Sequence, residues 1–222
     1  MLGRIVLFCA LALPALPALA EGVRYDQVDF SSSAEQQVSN DLMTAELNVE
    51  VNAARPDEVA REISGKLNAA LKTAAAFTEI KAASGKQFVR PVYGKDAIRP
   101  KGWRGRAAIR LESRDFTAMA RLIAELQQSM QLQDIRFALS PQTQEQVENA
   151  LIGKAIAAFR RRAKNIAVAL GARDYKLVHL SINRGGGYVR PMLARKAVPE
   201  QQFAGGESTM TVQASGTIEV VR

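Results

Sequence analysis

Between Leu42 and Leu139 the apolar residues switch back and forth between a period of two and a period near 3.6, and the order of those switches constrains the fold more than any other feature. Residues 42–53 alternate, with Leu47, Val49 and Val51 on one face and Glu46, Asn48 and Glu50 on the other, which predicts a half-buried strand. Pro56 and Asp57 then open a helix at first-turn positions that tolerate proline and favour acid. Its apolar residues Val59, Ile63, Leu67, Ala70 and Leu71 recur at helical spacing to about Phe77. Residues 79–93 and 102–113 read as two strands, the second with Ala108 and Arg110 alternating against Ile109 and Leu111, and a Gly/Pro/Lys/Arg tip joins them. Asp115 caps a second helix with the apolar set Phe116, Met119, Ala120, Ile123 and Leu126, and a strand follows at 135–139. Strand, helix, strand, strand, helix, strand is the order of the ferredoxin-like split β-α-β unit, so the expected class is α+β.

Outside this unit the pattern continues. Residues 27–38 are Ser-rich with β-type residues at Val28, Phe30 and Val38, and read as an edge strand. Pro141 starts the longest helix, which ends at Gly171, a residue suited to the left-handed C-terminal position. Its seam of Leu151, Ala155, Phe159, Ala163, Ile166 and Leu170 is Ala-rich and suits close packing. A strand at 176–182, a Gly/Pro loop from 183 to about 206 and a last strand at 208–221 complete the chain. The expectation is a domain over residues 21–222 with candidate lobes 21–139 and 140–222, the long helix and C-terminal strands forming the second.

Residues 1–20 read as a removable secretion signal. Arg4 supplies the positive start, residues 5–13 the apolar core, and Ala18-Leu19-Ala20 the small-residue cleavage site before Glu21. Pro14 and Pro17 interrupt the run before it reaches the roughly 20 residues that a membrane span needs. The mature chain then carries no expected transmembrane segment. Its one cysteine, Cys9, lies within the signal behind bulky Phe8, so neither a lipid anchor, a disulfide scaffold nor a thiolate metal site is expected. Loss of Arg4 leaves 29 basic against 22 acidic side chains, one charge below the whole chain's +8. An exported protein of that sign meets anionic lipid and lipopolysaccharide rather than nucleic acid.

Catalytic patterns are missing from the sequence. The single histidine, His179, sits mid-strand and reads as a packed or half-exposed residue, since a triad needs an oriented base and zinc needs three or four ligands. Ser-Gly-Lys occurs at residues 64–66 and 84–86, but neither copy has the upstream glycine or following hydroxyl of a phosphate loop. Gly185-Gly186-Gly187 reads as a surface loop. An enzyme built on carboxylates such as Asp115 and Glu112 finds little arranged acid-base chemistry. No cofactor and no metal is expected. The candidate surface is the hairpin tip, where Lys86, Arg90, Lys95, Arg99, Lys101, Arg104 and Arg106 face one acid, Asp96, with Tyr93 and Trp103 interleaved. Arginine forks grip phosphate or carboxylate and tryptophan favours wet interfaces, so Arg90, Tyr93, Arg99, Lys101, Trp103 and Arg104 are the candidate residues for an anion or partner. A second basic run, Arg160, Arg161, Arg162 and Lys164, reads as the solvent side of the long helix.

Several stretches together resemble the SIMPL domain family of exported bacterial proteins. They are Val38-Ser39-Asn40-Asp41 leading into the Leu47 strand, the strand from Trp103 to Leu111 running into Asp115-Phe116, the helix at 150–171 with residues 177–182 after it, and the closing strand at 209–221. The chain departs from the family with Ser31-Ser32-Ser33 in place of a glycine-containing first strand and Asn40-Asp41 in place of a Pro-Asp turn, which leaves the first strand's register open. The resemblance implies a periplasmic or outer-membrane-associated protein, often oligomeric, with some relatives linked to oxidative-stress tolerance, and no agreed active site. Two functions are therefore expected: a non-enzymatic homo-oligomeric scaffold or binding module, indirectly linked to stress, or a binding protein for an anionic lipid, lipopolysaccharide or glycan.

Overall fold

The computed structural model describes residues 26–94, 99–184 and 204–222. The expected signal at 1–20, Lys95 and Asp96 of the hairpin tip, and Gly185-Gly186-Gly187 lie outside them. The elements run β1 (Gln27–Ser39), β2 (Leu42–Ala53), α1 (Pro56–Ala74), β3 (Lys81–Tyr93), β4 (Pro100–Ser113), α2 (Phe116–Leu126), β5 (Gln131–Ala138), α3 (Pro141–Ala169), β6 (Asp174–Arg184) and β7 (Glu207–Val221). They form an α+β fold with two antiparallel sheets, ordered β3-β4-β2-β5 and β1-β7-β6.

The four-stranded sheet has the strand order and direction of a ferredoxin-like unit, as the switching periods predict. The alternation in β2 sends Met43, Ala45, Leu47, Val49 and Val51 to one face, where all are buried under α1 and α2. Pro56 stands in the first turn of α1 with Asp57 and Glu58, and the helix buries Val59, Ile63, Leu67, Ala70 and Ala74. It stops at Ala74, short of Phe77, and Leu71 is only half buried. Gly105 makes this packing possible, because a Cβ there would collide with the Ile63 and Val59 side chains. Asp115 caps α2 by accepting from the Ala118 N–H at 2.8 Å. The buried stripe is Ala118, Met119, Leu122, Ile123 and Leu126, while Phe116 sits edge-on to Phe137 with centroids 5.3 Å apart.

The second sheet joins the two ends of the described chain. β1 is an edge strand, as expected, and it pairs with β7 in unbroken register from Gln27↔Glu219 to Ser39↔Glu207. The sheets therefore do not divide at residue 139: β1 lies with the elements after 140, although it precedes the ferredoxin-like unit. Ser140 caps α3, Pro141 takes the first turn, and Gly171 with φ 72° follows the last turn. The buried seam is Leu151, Ala155, Phe159, Ala163 and Ala167, four residues apart throughout. Ala167 replaces the expected Leu170, which is 55% exposed. Each step of four overshoots a full turn by about 40°, so the apolar line winds round the helix above a twisted sheet. Phe159 stacks on Phe30 with ring centroids 4.3 Å apart.

A helix is about 10 Å across and strands lie about 4.8 Å apart, so one helix covers two strands well and a third poorly. Here α3 lies mainly over β1 and β7. Leu177 and Val178 on β6 are left exposed, and an apolar groove of ≈ 540 Å³ runs between Ile156 and Phe159 of the helix and Tyr175, Leu177 and Leu180 of the strand. The two lobes have separate cores, and among the described residues no helix or strand of one packs on an element of the other beyond marginal contact.

Candidate functional site

The β3–β4 hairpin carries the candidate residues, and its faces are decided by a bulge. Ser84 pairs with Ile109 and Gln87 with Ala107, so one extra residue is accommodated at Gly85-Lys86. Without it, Phe88 and Arg90 would point at α1. With it, both turn to the outer face, opposite Arg106 and Arg104 respectively. Arg90 then stands directly across from Arg104, a like-charge pairing that destabilises an antiparallel ladder. Arg104 is neutralised by Glu50 at 3.2 Å and bonds the Asn52 amide oxygen at 3.0 Å. Arg106 donates to Gln133 at 3.0 Å, and the buried Asn48 amide is satisfied with its oxygen turned toward Arg106 Nη2 at 2.7 Å. Arg90 has the Phe88 ring beneath its guanidinium, 5.4 Å from the centroid, a cation–π arrangement on an open surface.

The structure divides the candidate set. Arg90 and Arg104 share the outer face. Arg99 and Tyr93 stand exposed at the described margins of the tip, Tyr93 at 53%. Trp103 is half buried against the core on the helix side, so it is largely a packing residue. Together with Lys101, Gly102, Val92 and residues 52–54 it lines a shallow recess of ≈ 310 Å³. The aromatic residue that accompanies the arginines is Phe88, 41% exposed, which the sequence reading missed because simple alternation across residues 81–93 points it inward. Arg110 lies further along the same face of β4, where period-two reading does reach it.

The other candidates resolve individually. His179 is exposed on the outer face of the second sheet, beside a bulge at Val178, and is not packed. Asp29, Ser31, Ser181, Gln213, Ser215 and Thr217 surround it in a shallow recess, with the Thr217 hydroxyl donating to the Asp29 carboxylate. Gly216 lets the His179 backbone approach, since a Cβ there would strike the His179 carbonyl. No group of three or more His, Cys, Asp or Glu among the described residues is placed to hold a metal ion. The Asp115 carboxylate is engaged as a helix cap. On α3, Arg162 donates to the Ser31 carbonyl at 3.2 Å and Lys154 to Gln36 at 3.0 Å, tying part of the basic surface to β1.

The most organised polar cluster sits where the lobes meet, at Asn40-Asp41 between β1 and β2. The Asp41 carboxylate accepts from the Ser140 N–H at 2.6 Å, the Ser140 hydroxyl at 2.7 Å, the Thr143 hydroxyl at 2.8 Å and Arg114 at 2.9 Å. Burial pushes its pKa up, but the Ser140 and Thr143 bonds and the Arg114 charge prevail and hold it below the ordinary aspartate value. Asn40 is buried, donates through its side chain to the Gly205 carbonyl at 2.8 Å and through its N–H to Gly206 at 3.0 Å, and accepts from the Ser208 hydroxyl at 2.5 Å. Beside this cluster opens a cleft of ≈ 910 Å³ with walls from both lobes: Leu42, Glu79, Lys81, Glu112 and Phe116 on one side, and Ser140, Pro141 and Gln142 on the other.

No helix among the described residues is long and apolar enough to cross a membrane. A search among curated proteins finds no match to the chain. The model of the SIMPL family, described as a protein of unknown function (DUF541), matches residues 28–218 and so spans both lobes: the chain belongs to the SIMPL family.

Proposed function

We propose that this chain is a non-enzymatic, exported protein of the bacterial envelope that works by binding, and that the β3–β4 hairpin is its contact surface for an anionic component carrying phosphate or carboxylate. Family membership and the signal-like residues 1–20 support a periplasmic location. The observation that carries the binding role is the outer face of the hairpin. Arg90 is set opposite Arg104 and over Phe88, and no carboxylate bonds Arg90, Arg99 or Lys101 among the described residues. Arg104 is already paired with Glu50, so the cation of this pair left for an anion is Arg90, where a phosphate or carboxylate gains a charge-assisted bond that no carboxylate among the described residues supplies.

Co-sedimentation of residues 21–222 with phosphatidylglycerol and phosphatidylcholine vesicles tests this. Binding is expected to the anionic vesicles alone, to weaken in high salt, and to fall at least about tenfold in the double variant Arg90→Glu, Arg99→Glu. Equal binding by the variant sinks the hairpin reading. Lipopolysaccharide and acidic glycans are the next probes of the same surface.

A second reading, assembly into a homo-oligomeric scaffold, is favoured by the exposed Leu177 and Val178 beside the apolar groove of the second lobe. Light scattering in low and high salt decides it, a mass of one chain in both counting against it. Any link to oxidative stress is indirect. The sequence has no cysteine beyond Cys9, and Met43, Met119 and Met130 are buried in the first core.

A further inference from the structure

We infer that the two lobes are a hinged pair and that Asn40-Asp41 is the clasp that fixes the angle between them. Three observations carry this independently of the binding role. First, each lobe has its own apolar core, and neither core extends across the junction. Second, the described chain crosses between lobes at only two places, residues 39–42 and 138–141, and the bonds between lobes gather on the same few residues. Asp41 ties the first turn of α3, through Ser140 and Thr143, to the end of β4, through Arg114, while its neighbour Asn40 extends the β1–β7 ladder and anchors this corner to Gly205, Gly206 and Ser208. Third, the ≈ 910 Å³ cleft lies at this junction with walls from both lobes, so its volume depends on the angle.

The chemistry suits a clasp better than a weld. An apolar interface holds its partners by keeping water out, and opening it exposes that surface. Hydrogen bonds from Ser140, Thr143, Arg114 and Ser208 can instead be exchanged for bonds to water, so the clasp holds one angle yet can open without uncovering either core. Short element-terminal segments absorb the change in dihedral angles in such a motion, and Ser39–Asp41 and Leu139–Ser140 are segments of that kind. Apolar contact across the junction is slight. Gly205 abuts the Phe116 ring, which a Cβ there would approach to 2.8 Å.

The test is a distance measurement between lobes. In the full chain carrying Cys9→Ser, spin labels go on Ser64→Cys of α1 and Lys164→Cys of α3, both exposed positions. Double electron–electron resonance is expected to give one narrow distance distribution for the otherwise native chain. Asp41→Asn, which places an amide donor against the Ser140 donors, is expected to broaden the distribution at least about twofold or move its centre. Circular dichroism is expected to show both lobes still folded. Arg114→Gln removes one bond from the clasp without touching either core and is expected to broaden the distribution less. If Asp41→Asn does not fold, Arg114→Gln alone carries the decision. An unchanged distribution in whichever variants remain folded means that the lobes are fixed by something other than this clasp and overturns the inference.

Discussion

The ferredoxin-like lobe covers four strands with two helices, whereas the second lobe covers three strands with one, and the two solve the same burial problem to different degrees. In the first, Met, Leu, Ile and Val dominate the core, and both layers are complete on the helix side. In the second, alanines at 155, 163, 167, 172 and 214 let α3 lie close to the sheet, but one helix leaves β6 half covered. Close approach substitutes for side-chain bulk only beneath the helix. The lesson is that the second lobe depends heavily on its few large residues, Phe159 above all, and keeps an unfinished apolar margin.

Four substitutions break or sharpen this comparison. Phe159→Ala removes the ring that stacks on Phe30 and is expected to destabilise the second lobe by about 3–5 kcal/mol. Hydrogen exchange is expected to show lost protection in β1, β7 and α3 and little change in β2–β5. A loss spread evenly over both lobes contradicts the separation of the cores. Next come the two glycines that admit a close neighbour. At Gly105 the obstacle is the side-chain methyl groups of Ile63 and Val59, and at Gly216 it is the His179 backbone carbonyl. Gly105→Ala is expected to cost about 1–3 kcal/mol, in the range of overpacked cores, and Gly216→Ala more, because backbone yields less than a side chain. Thermal melts of the pair decide, and the reverse order would show β6 to be the softer element. The smallest effect is expected at the exposed margin. Leu177→Ser is predicted to change stability by less than about 0.5 kcal/mol, while reducing any self-association seen by light scattering.

Much of the fold was legible where its signals are local. The alternation in β2, Asp115 as a cap, Pro141 at a helix start and Gly171 at its end all act within a few residues of themselves, and each appears where the periods place it. Features set by distant partners were not legible. Nothing near Gln27–Ser39 indicates that its partner is β7 at the far end of the chain. The bulge at Gly85-Lys86, which turns Phe88 and Arg90 outward, becomes visible only against the register of β4. The α3 seam runs to Ala167 rather than Leu170 because the surface beneath the helix, not helical periodicity alone, decides which residue is covered. Asp41 acquires its role from Arg114, Ser140 and Thr143, none of them its sequence neighbours. The hairpin candidates were placed on one surface only in part, since Trp103 packs inward and Arg104 is already paired.

The pairing of the first described strand with the last has a consequence for how the protein comes into being. A chain that emerges from a pore with its N-terminus leading presents β1 early and β7 at the very end. The ferredoxin-like segment is contiguous and can condense in the interval, but β1 must wait, with both its edges open, for a partner separated from it by almost the whole length of the chain. Closing so long a loop adds little entropy cost beyond a moderate one, because that cost grows only with the logarithm of length, yet non-local pairing is slow. A strand that lingers in water is an aggregation hazard unless its surface is polar. The composition of β1, with Ser31-Ser32-Ser33 at its centre and Gln36-Gln37 beyond, is that of a segment able to wait.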